Sequence, residues 1–145
     1  MMKMASYTFS VTHGNKEAVG ASSMLLLQSF LELELFEHGS ANPFVSLVSS
    51  VDFRLGQLRG STLDSVYAKN ALVTQFNNLL SIFGSVKDWQ VPEKDIRQSL
   101  DEAVPKVVEF INQSIIAIQA GNQADAIKAI ESARAELVKH SNLQF

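Results

Sequence analysis

The sequence predicts an all-α protein: an up-and-down bundle of five or six helices, preceded by a short extended N-terminal segment. Three observations carry this expectation. Apolar residues recur at helical spacing over most of the chain. Gly39, Gly60, Gly84 and Gly121 fall between these segments, where helices end. Asn, Ser and Pro stand where the next segments begin, as helix starts require. The connections so marked are short, which implies antiparallel neighbours.

Residues 1–14 are expected to be an extended arm. From Ser6 to Thr12 the chain alternates, with Tyr7, Phe9 and Val11 on one side and Ser and Thr on the other. That is the period of a strand. No second segment matches it well, so the arm either lies in a groove between helices or adds as a strand to another chain.

A single helical domain is expected over residues 15–140. Its first helix runs from Lys16 to His38, with Asn15 as the cap. In the stretch Met24 to Phe36, nine of thirteen side chains are apolar. A helix on a protein surface needs an apolar stripe only roughly 100° wide. This one must be covered on two sides, by other helices or by a partner. It is too short for a membrane span of about 20 residues, and it carries Glu32 and Glu34.

The second helix begins at Asn42-Pro43, a capping residue followed by a proline suited to the first turn. Phe44, Leu47, Val48, Val51, Leu55 and Leu58 form its stripe, and Gly60 ends it. Ser61-Thr62-Leu63-Asp64 resembles a capping box. It opens a third helix with Leu63, Val66, Tyr67, Val73, Phe76, Leu80 and Phe83 inward. Ser85 to Val91 is a loop holding Trp89. A fourth helix starts at Pro92, with Ile96 and Leu100 inward. Pro105 then kinks or breaks the chain near Val104, because the residue before a proline avoids the α region. Val107, Val108, Ile111, Ile115 and Ile118 continue to Gly121. Asn122-Gln123-Ala124-Asp125 opens the last helix, with Ala126, Ile127, Ile130, Ala133, Leu137 and Val138 inward. Residues 141–145 are expected to be a loose tail.

Composition excludes several chemistries. There is no cysteine, hence no thiolate metal site, thiol nucleophile or disulfide. His13, His38 and His140 are far apart, and no Glu-x-x-His pair of the di-iron bundles occurs. No Gly-x-Ser-x-Gly elbow or phosphate-binding glycine loop is present. No cofactor or metal is expected. The net charge is −3 and evenly spread, which leaves no basic footprint for nucleic acid or for an anionic membrane. The polar N-terminus lacks a signal-peptide core, and a cytoplasmic location is expected.

One motif points to catalysis. Arg134 and His140, separated by Ala135 to Lys139, resemble the Arg–(four to six residues)–His signature of HEPN-type ribonucleases. That resemblance implies a small, often dimeric, all-helical domain cleaving RNA without metal, with Arg134 and His140 acting on the 2′-hydroxyl reaction. The polar residue that usually follows the arginine is replaced by Ala135. Six residues of regular helix also set the two side chains about 120° apart. The alternative is a surface Arg134 and a His140 that interacts with the helix C-terminus.

The leading functional expectation is a non-enzymatic protein-interaction module, a chaperone, adaptor or inhibitor. Its basis is surplus apolar surface on the first helix, on the arm and around Trp89. Tyr7, Phe9, Leu33, Phe36 and Trp89 are the candidate contacts, and the partner is a second copy or another protein. A bundle holding a small apolar ligand is a further alternative.

Overall fold

The computed structural model describes residues 42–145. Gly39–Phe145 forms a compact unit, and its described part is all helical. Four α-helices run through it: α1 (Pro43–Arg59), α2 (Val66–Ser85), α3 (Lys94–Gln119) and α4 (Gln123–Ser141), with a single 3-10 turn at Val86–Asp88. The arm, the first helix, and with them the count of five or six fall outside the described residues. No described helix is long and apolar enough to cross a membrane.

Successive helices pack on one another, and α4 also packs on α1. Side-chain pairs give the directions. Asp52 meets Arg134, Arg59 meets Glu131, and Leu58 meets Gln123. Numbers rise along α1 as they fall along α4, so the two are antiparallel. Ser114 bonds to Ala126 while Glu102 approaches His140, so α3 and α4 are antiparallel too. Lys69 lies beside Gly121, and Val86 bonds to Arg97, which makes α2 antiparallel to α3. The described helices therefore alternate up and down.

α1 follows its sequence closely. Asn42 Oδ1 accepts from the Phe44 N–H at 2.9 Å, and Pro43 occupies the first turn. All six residues of the expected stripe are buried. The helix ends at Gly60 with φ −84°, a conformation open to any residue.

α2 departs from expectation. Its cap is Ser65, whose hydroxyl accepts from Ala68 N–H at 3.1 Å. Ser61 instead donates to the Gln57 carbonyl at 2.7 Å, and Thr62 to Asp64 at 3.0 Å, which ties residues 61–64 into a turn. Leu63 thus lies outside the helix and does not set its register. The core face is Leu72, Phe76, Leu79, Ile82 and Phe83, while Val66 and Tyr67 are exposed. Val73 and Leu80 lie at the edge.

α3 begins at Lys94, not at Pro92, and passes through Pro105 without a break. A proline inside a helix removes one hydrogen bond, here to the carbonyl of Asp101. Asp101 and Pro105 are both exposed, so water reaches that carbonyl. Ala103, Val107 and Ile111 pack on the opposite side. The break is avoided because its cost falls on the wet face and the gain falls in the core.

The α3–α4 turn is fully satisfied. Gly121 N–H bonds to Ile118 O at 2.9 Å, and Asn122 N–H to Ala117 O at 2.8 Å. This pair of bonds is the Schellman arrangement. It places Gly121 at φ +76°, where a side chain is strained. Asn122 then caps α4 by accepting from Asp125 N–H at 3.1 Å. Ala126, Ala129, Ile130, Ala133 and Leu137 are buried, as are Val107, Ile111, Ile115 and Ile118 facing them.

Candidate interaction surface

Of the expected contact residues, Tyr7, Phe9, Leu33 and Phe36 lie outside the described residues. Trp89 is half-buried. Its indole N–H donates to Ser85 Oγ at 3.0 Å, and Ser85 in turn donates to Ile82 O. Arg97 clamps the same turn, with Nη1 donating to Trp89 O at 3.0 Å and Nη2 to Val86 O at 2.9 Å. Asp101, four residues on, holds that guanidinium at 2.7 Å. The hydrogen bond from Arg97 holds the Asp101 carboxyl below its ordinary pKa, outweighing an opposing desolvation, and the Arg97 charge adds to the lowering. Trp89 is thus fastened to α2 and α3 through a chain of polar contacts.

Arg134 and His140 face different neighbours. Arg134 Nε donates to Asp52 Oδ1 on α1 at 2.6 Å, and its guanidinium lies 6.0 Å from the Phe145 ring centroid. His140 Nε2 lies 3.2 Å from Glu136 Oε1, and Nδ1 lies 3.9 Å from Glu102 Oε2 on α3. The first residue braces α4 against α1; the second sits between two carboxylates on the α3 side. Those carboxylates repel the phosphates that an RNA-cleaving site must hold. Among the described residues, no group of three or more His, Cys, Asp and Glu is placed to hold a metal ion.

Sequence reasoning missed two long polar side chains buried in the core, Arg54 and Gln75. Arg54 is 0% exposed; its Nε donates to Gln75 O at 3.2 Å and its Nη1 approaches Ser50 O at 3.4 Å. Gln75 is 2% exposed, and among the described residues neither end of its side-chain amide has a hydrogen-bond partner. A signal was present in both cases. Arg54 stands three residues after Val51 and four before Leu58, on the α1 stripe, and Gln75 lies between Leu72 and Phe76.

A groove of about 500 Å³ runs along the outer side of α3 and α4. Ala117, Ala120 and Ala129 line it with small side chains, and Phe110 and Ile116 stand along the α3 side. Asp125, Lys128 and Ser132 rim it from α4. Ile116 is 66% exposed, while its neighbours Ile111, Ile115 and Ile118 are buried. Val66 and Tyr67 form a second apolar exposure, at the start of α2.

No family model matches the chain, and no curated protein or solved structure is significantly similar to it.

Proposed function

We propose that the protein is a non-enzymatic protein-interaction module, a chaperone, adaptor or inhibitor that works by binding a second copy of itself or another protein. The observation that carries this reading is the α3–α4 groove, with its small apolar lining and the exposed Ile116 beside it. An exposed isoleucine beside small apolar side chains, rimmed by polar groups, supports this reading. The groove suits a protein better than a small apolar ligand. Small-molecule pockets enclose most of the ligand's surface, whereas Ala120, Asn122, Asp125 and Lys128 along this groove are all exposed.

Capture from a nuclease-treated lysate of the native host, with the native mass of the bare protein measured in parallel, tests this. A stoichiometric protein partner or a homodimer supports it. A partner-free monomer that cleaves RNA, with activity lost in both Arg134→Ala and His140→Ala, replaces it with the ribonuclease reading.

A further inference from the structure

We draw no further inference here: the strongest candidate, the groove along the outer side of α3 and α4 beside the exposed Ile116, carries nothing beyond the interaction reading already given, because nothing in the structure shows what covers it.

Discussion

The α3–α4 hairpin closes on alanines and a satisfied turn, whereas α1 and α2 meet around a buried guanidinium and an amide with no hydrogen-bond partner among the described residues. In the hairpin, Ala126, Ala129 and Ala133 bring α4 close to α3. A buried hydroxyl between them, Ser114, donates to Ala126 O at 2.8 Å. At the α1–α2 contact, Arg54 spans from one helix to a main-chain carbonyl of the other, and Gln75 contributes a side-chain amide that bonds to none of the described residues. Small side chains shorten the distance between helices without burying polarity. A long polar side chain fills a wider gap and must carry its hydrogen bonds with it. The comparison shows two routes to a filled core, one inexpensive in polar desolvation and one costly.

Four substitutions break or sharpen that contrast. The largest effect is expected at Arg54. Arg54→Ala opens a cavity and removes the second donor to the Gln75 carbonyl, with a loss of about 2–5 kcal/mol in urea unfolding. A loss under about 1 kcal/mol, the size of an ordinary surface change, would show that the guanidinium does not hold α1 to α2. Gln75→Met comes next and has the opposite sign. It keeps the length of the side chain and removes an amide whose burial is uncompensated, for an expected gain of about 1–3 kcal/mol. A destabilised Gln75→Met protein would mean that the amide does find partners in solution.

The hairpin is probed at its turn. Gly121→Ala forces a side chain into the left-handed region and is expected to cost about 1–2 kcal/mol. An unchanged melting temperature would show that the turn can relax out of its positive φ. The smallest effect is at the Arg97 clamp. The folded pKa of Asp101 lies below its unfolded value. Its contribution is therefore complete above the ordinary carboxylate range and is lost as pH falls through the lowered folded value. Asp101→Asn should flatten that part of the acid limb of stability and leave stability near neutrality only slightly reduced, since the pair is largely solvated. An acid limb identical to wild type would remove Asp101 from the pH response.

The same two regions differ in how far they could be read in advance. The hairpin is local. Gly121 and Asn122, with apolar residues spaced at three and four on either side, specify a helix end, a turn and a new cap within a few residues, and the structure follows that reading. Along α2 the reading slipped. Ser61 and Ser65 both precede apolar residues and both can cap; Ser65 caps the helix, while Ser61 donates back to the Gln57 carbonyl of the preceding helix. The displaced start leaves Val66 and Tyr67 in solvent. Pro105 is a similar case. Its proline chemistry was legible, but whether the helix broke depended on Asp101 and Pro105 facing water.

For the candidate surface, residue type misled more than spacing did. Ile116 belongs to an isoleucine-rich run, and only the spacing of Ile111, Ile115 and Ile118 sets it apart as the one that faces outward. Arg134 and His140 stand near each other in sequence, yet Asp52 draws one toward α1 while Glu102 and Glu136 flank the other. Arg54, a charged residue on an apolar stripe, was the opposite error.

Helix positions, caps and most core residues are set by interactions within a turn or two of chain, and so they are encoded at short range. Which helices touch, which side of Pro105 meets water, and where Arg54 finds its hydrogen bonds depend on atoms brought together from distant positions. No local pattern carries those facts, because burial and pairing belong to two segments at once and exist only when both are in place.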